Sequence, residues 1–126
     1  VKTGKKNHKL SRTRAHRDAM LGNLARQLII HEEITTTLDK SRALRPFMEK
    51  LVTVAIKAGR EAVKPETRLA HIRRIDAVLR SRILTNKLVE QIAPRFQDIK
   101  GGYLRIVKLW QRQGDAATIS LVQFVK

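Results

Sequence analysis

The sequence predicts an α+β fold: about four helices packed on a small three-stranded mixed sheet, entered through an extended basic N-terminal arm. Three observations carry this. Apolar residues recur at helical spacing through most of residues 13–93. A short β-branched run, EITTT, interrupts them at residues 33–37. After APRFQDIKGG the pattern changes to two strand-like stretches around turn residues. No internal repeat, low-complexity tail or composition break divides the chain, so residues 1–126 read as one domain, with arm 1–12 and body 13–126.

The arm comes first. Residues 2–17 hold seven Lys or Arg, two His and no acid. Such a stretch offers too little apolar surface to offset its ordering entropy, so it should be extended in isolation. Ser11 is the expected N-cap of the first helix, Thr13 to His31, whose apolar face holds Met20, Leu21, Leu24 and Leu28. The EITTT strand follows, and Thr37 is placed to cap the second helix, Leu38 to Ala58. Leu44, Phe47, Met48, Leu51, Val52 and Ala55 make its apolar stripe, and Pro46 should kink it or split off its first turn.

Gly59 can end that helix, and Pro65 suits the first turn of a third, which carries Leu69, Ile72, Ile75 and Leu79. Arg68, His71, Arg73 and Arg74 surround its polar face. The spacing of Leu84, Leu88 and Ile92 predicts a fourth helix over Ile83 to Ala93, closed by Pro94. Tyr103 to Trp110 and Ala117 to Val125 then form a hairpin, with Gly114 and Asp115 supplying the turn.

Charge is the informative part of the composition. Lys and Arg number 27 against 11 Asp and Glu, a net charge of +16. An excess of that size is self-repelling and calls for a polyanion to take it up. There is no Cys, which removes disulfides, thiolate metal sites and a thiol nucleophile, and suits a reducing, cytosol-like compartment. No apolar run approaches the ~20 residues needed to cross a bilayer. The basic start is followed by no apolar segment of the secretory kind.

Enzyme chemistry finds little support. HEEIT at residues 31–35 begins like the zinc-protease helix H-E-x-x-H, but its fifth position is Thr35. His31 therefore reads as a helix-end residue. The four His are scattered, no phosphate-cradling glycine motif is present, and no Ser-His-Asp arrangement is suggested. Neither a cofactor, a metal nor a small-molecule substrate is expected.

The basic residues read differently. A charge run is usually a solvated face supported by i,i+4 acid pairs, and residues 1–17 have one acid-free stretch with no such pairs. Lys2, Lys5, Lys6, His8, Lys9, Arg12, Arg14, His16 and Arg17 are the expected phosphate contacts, with Arg42 continuing them on the second helix. KGGYLRIVKLWQR adds Gly101 and Gly102, where the backbone can turn sharply or approach a ligand, and Arg105, Lys108 and Arg112. Tyr103 and Trp110 can either stack on bases or pack at the sheet edge, and the low aromatic content favours packing.

Six stretches in order resemble the bacterial-type large-subunit ribosomal protein seventeen family: AHRDAMLGNL, HEEITTT, EKLVTVA, KLVEQIAPRF, GGYLRI and QRQGDAA with ISLVQFV. The similarity spans nearly the whole chain. It implies a structural constituent of the large ribosomal subunit in the bacterial cytoplasm, without catalysis. Its implied partners are large-subunit ribosomal RNA and neighbouring ribosomal proteins near the tunnel exit. The alternative is a DNA- or RNA-binding architectural or processing factor outside the ribosome. A membrane-surface role is disfavoured, because the arm has almost no apolar face to insert.

Overall fold

The computed structural model describes residues 9–60 and 64–125. The chain has the expected α+β class. The elements are α1 (Arg14–His31), β1 (Glu33–Thr37), α2 (Leu38–Ala58), α3 (Pro65–Leu79), α4 (Arg82–Lys87), β2 (Leu104–Gln111) and β3 (Thr118–Phe124). A π-helical turn (Leu88–Ile92) and a 3₁₀ turn (Ala93–Phe96) prolong α4.

The N-cap of α1 is Thr13, not Ser11. The Thr13 hydroxyl accepts the His16 N–H at 3.4 Å, while Ser11 lies in a preceding turn with φ of 55°. That turn is closed by the Arg12 N–H donating to the Lys9 carbonyl, and Leu10 within it packs against the core. At the other end of α1, Glu32 takes the left-handed conformation and its N–H caps the Leu28 carbonyl at 2.7 Å. The Arg95 guanidinium meets the Glu32 carboxylate at 2.6 Å, holding the α1–β1 corner to the 3₁₀ turn.

The second helix runs without interruption through Pro46, so of the two expected effects, a kink or a split-off first turn, the split does not occur. Pro46 removes the N–H that would have bonded to Arg42, and both residues are exposed, so water can satisfy the freed carbonyl. Thr37 is the N-cap by position, but its side chain makes no capping bond. Its carbonyl instead accepts the Ser41 hydroxyl at 3.1 Å.

Nor does Pro94 close the fourth helix at Ala93. The α-helical turns give way at Leu88 to the π turn, and Pro94 sits early in the 3₁₀ turn that follows. This change of pitch aligns Leu88, Val89, Ile92, Ala93 and Phe96 on the interior. Phe96 then meets Tyr103 edge-on at 5.3 Å and Phe124 at 6.1 Å. Burial of these rings joins the helices to the sheet.

The sheet order is β1-β3-β2, and both pairings are antiparallel, where a mixed sheet was expected. β1 and β2 do share a direction. They never bond to each other, because β3 lies between them. The inner face presents Ile34, Leu104, Ile106, Val122 and Phe124 to the helices. α2 is the central helix, packing against α1 and α3 as well as all three strands. α3 lies away from the sheet and presses Ile75 and Leu79 into the core, whereas Leu69 is exposed.

Candidate nucleic-acid interface

Lys2, Lys5, Lys6 and His8 lie outside the described residues. The remaining basic positions fall into separate patches. At the entry to α1, Lys9, Arg14 and His16 are exposed, with Arg12 and Arg17 half-buried. Arg12 is partly committed to structure, since its guanidinium donates to the Leu10 carbonyl at 2.7 Å. Arg14 and Asp18 are 4.0 Å apart and both well exposed, a pairing too loose to neutralise either.

The hairpin carries the second patch. Arg105 and Lys108 are exposed on β2 and make no ion pair with a described residue. Arg112 is different. Its guanidinium donates to the two carboxylate oxygens of Asp115 at 3.1 and 2.6 Å. Asp115 also accepts the Ala117 N–H at 3.2 Å. The Arg112 hydrogen bonds, helped by that backbone donor, hold the Asp115 carboxyl down to about 2, and the Arg112 pKa is raised in return. Arg112 therefore braces the turn and offers only its remaining donors to a phosphate. Arg42 is exposed near this end of the molecule, where the first turn of α2 borders a small cleft with Ala117 and Thr118.

Gly101 and Gly102 have φ of 146° and 67°, and a side chain at either would meet nothing within 4 Å of its Cβ. The glycines are needed there for conformation, not for space. They reverse the chain so that Tyr103 enters the core, 3% exposed. Its hydroxyl donates to the Ile99 carbonyl at 3.4 Å, and the ring packs on Phe96. Of the two roles weighed for Tyr103, packing is the one its burial permits, and the ring is not a stacking surface for bases.

A third patch lies on α3 and its C-terminal end, outside the expected set of contacts. Arg68, Arg73, Arg74 and Arg80 are exposed and have no ion-pair partner among the described residues. Asp76, the nearest acid in sequence, is engaged by Thr85 at 3.0 Å and Arg82 at 3.8 Å. The adjacent Arg73-Arg74 doublet is the sequence signal for this patch. A cleft of about 690 Å³ between α1 and α3 brings Arg80 to the same side as Ala15, Asp18 and Arg26. Arg26 donates to the Leu79 carbonyl at 3.1 Å, capping α3. No group of His, Asp or Glu among the described residues is placed to hold a metal ion. The arrangement is one of exposed cations on a rigid frame, suited to contacting phosphates.

The family model for ribosomal protein L17 matches residues 20–125. The chain belongs to the ribosomal protein L17 family. This is the family that the six sequence stretches resemble, and it is not an enzyme family. Among its relatives is large ribosomal subunit protein bL17 of Thermotoga neapolitana, 47% identical over 122 residues, covering 96% of this chain and 92% of the relative. The bL17 of Thermotoga maritima shows the same identity and coverage, 47% over 122 residues. The bL17 of Rhodopseudomonas palustris is 43% identical over 125 residues, covering 99% of this chain and 84% of that protein. The L17 match includes the hairpin and α3 patches but starts after Arg17, so the basic entry lies before it.

Proposed function

We propose that this chain is a structural constituent of the large ribosomal subunit and binds large-subunit ribosomal RNA. Its relatives carry the large-subunit designation in their names, and the chain aligns with them over nearly its full length. The physical observation that supports RNA as the partner is the uncompensated charge. The net charge is +16, and the described patches on α1, α3 and the hairpin expose guanidinium and ammonium groups with few acids to meet them. Folded RNA is recognised largely through shape and phosphate contacts, and released counterions supply much of the affinity.

In this reading Lys9, Arg14, Arg17, Arg42, Arg105 and Lys108 contact phosphates, the arm supplies Lys2, Lys5 and Lys6, and Arg112 contributes through its free donors. Neighbouring large-subunit proteins complete its surroundings, in the bacterial cytoplasm. It performs no catalysis. Sucrose-gradient sedimentation of a cell extract tests the assignment. The protein should co-migrate with the large subunit and leave it in parallel with its RNA after RNase treatment. Sedimentation at the top of the gradient, or with DNA, would overturn it.

A further inference from the structure

The outward face of the sheet carries an aromatic side chain that the fold leaves uncovered. Helices cover the opposite face, where Ser120, Val122 and Phe124 point inward. On the outer face the register sets Arg105 opposite Gln123, Val107 opposite Leu121 and Trp110 opposite Ile119. The register shift between Lys108 and Trp110 decides this last pairing. Strict alternation from Val107 would turn residue 110 inward, whereas one inserted residue, Leu109, returns Trp110 to the outer face.

Trp110 is 59% exposed, while its cross-strand partner Ile119 is only 9% exposed and stands apart from the core cluster. Cross-strand neighbours at this spacing are in side-chain contact, so Ile119 gives the indole a fixed bed. The other aromatic residues are enclosed: Phe96, Tyr103 and Phe124 are buried and Phe47 is half-buried. Cations flank the exposed ring. Arg105 shares its face and Arg112 follows it by two residues, while Lys108, opposite the inward Ser120, lies on the other side of the strand. The acids nearby are few, with Asp115 already held by Arg112 and Glu33 across the sheet on β1.

We propose that Trp110 is a stacking platform for an unpaired RNA base, with Arg105, on the same face, taking a phosphate of the same strand. The inference rests on the RNA-binding reading and names the kind of RNA this hairpin prefers. Base–aromatic stacking needs a base already out of a duplex, so the site selects loops, bulges or single strands over paired RNA. The surrounding cations favour a nucleotide over an apolar protein segment as the occupant.

Trp110 is the one tryptophan in the sequence, so its fluorescence reports this site directly. The full chain is titrated with an unstructured oligouridylate and, separately, with a blunt RNA duplex, following both indole emission and the anisotropy of labelled RNA. Single-stranded RNA should quench the indole strongly, and the duplex should bind while quenching it little. Trp110→Leu, which keeps the face apolar, should weaken oligouridylate binding roughly five- to a hundredfold and leave duplex binding nearly unchanged. Trp110→Phe should restore most of the loss. Thermal melts show whether each variant is folded. Unchanged oligouridylate affinity in folded Trp110→Leu would overturn the proposal and mark the face as a protein-docking surface. So would single-stranded binding without quenching. Absence of binding to either RNA would instead overturn the RNA-binding reading itself.

Discussion

The hydroxyls of Ser41 on α2 and Ser120 on β3 share a hydrogen bond in the interior, where both side chains are fully buried. With Ser41 donating its one proton to the Thr37 carbonyl at 3.1 Å, Ser120 is the donor within the pair, and the Thr36 carbonyl, 3.2 Å from Ser120, is the alternative acceptor for that same proton. Two hydroxyls thus tie the central helix, the central strand and an edge strand at one point. Either alanine substitution should cost about 0.5 to 1.5 kcal/mol, because the remaining hydroxyl keeps its carbonyl. The double variant should cost less than the two single losses together. A double-mutant cycle by urea denaturation measures the difference, and strict additivity would show that the pair is not coupled.

Packing and RNA contact separate cleanly at Leu51 and Arg17. Leu51 is 8% exposed on the core stripe of α2, so Leu51→Ala should lower stability by roughly 2 to 5 kcal/mol. Arg17 has no ion pair with a described residue, and Arg17→Ala should stay within about 0.5 kcal/mol of the parent. At equal protein abundance, incorporation into large subunits should be impaired by Arg17→Ala although that variant is folded. Normal incorporation would remove Arg17 from the RNA-facing set.

The hairpin turn should respond to acid in a defined window. The Asp115 carboxyl is held from 3.8 down to about 2, so its contribution is complete above the unfolded value. That contribution is lost as pH falls through about 2. Both partners are solvent-exposed, so the effect on global stability is small and the local signal is the useful one. The Ala117 amide resonance should titrate with a midpoint near 2, rising toward the ordinary carboxylate value in Arg112→Ala. An unmoved midpoint would mean that the guanidinium does not set it.

The arginines of α3 should register in the salt dependence of RNA binding. If Arg73 and Arg74 contact phosphates, replacing each by Ala should lower the slope of log K against log salt by about 0.7 to 0.9. The free protein should melt as before, since both side chains are exposed and without ion pairs among the described residues. An unchanged slope would assign the α3 charge to solvent.

Local patterns made much of the fold legible. The bounds of β1 and α2 follow from a β-branched run, a helical apolar stripe and a terminal glycine, all of which agree with the tertiary environment. Pro46 leaves α2 unsplit because the freed carbonyl meets water on the exposed side of the helix, which the sequence pattern alone does not reveal. The π turn was hidden because Leu84, Leu88 and Ile92 fit an α-helix equally well. Packing of Val89 and Phe96 selects the wider pitch. For the interface, the sign and amount of charge were readable, but the commitments of Arg12 to Leu10 and Arg112 to Asp115 were not. The outward turn of Trp110 depends on a bulge, and no residue in KLWQ announces one.

The position of β3 constrains how the chain matures during synthesis. Both other strands bond only to β3, which leaves the ribosome after all the described helices and after both of its partners. Until then β1 and β2 have no ladder to join, and Ile34, Leu104 and Ile106 lack the strand that completes their shared inner face. A nascent chain halted within the hairpin turn therefore holds its helices around an open edge, a state that invites chaperone capture or proteolysis. Emergence of residues 118–124 closes both ladders in one cooperative step, so quality control can read closure of this sheet from a single strand.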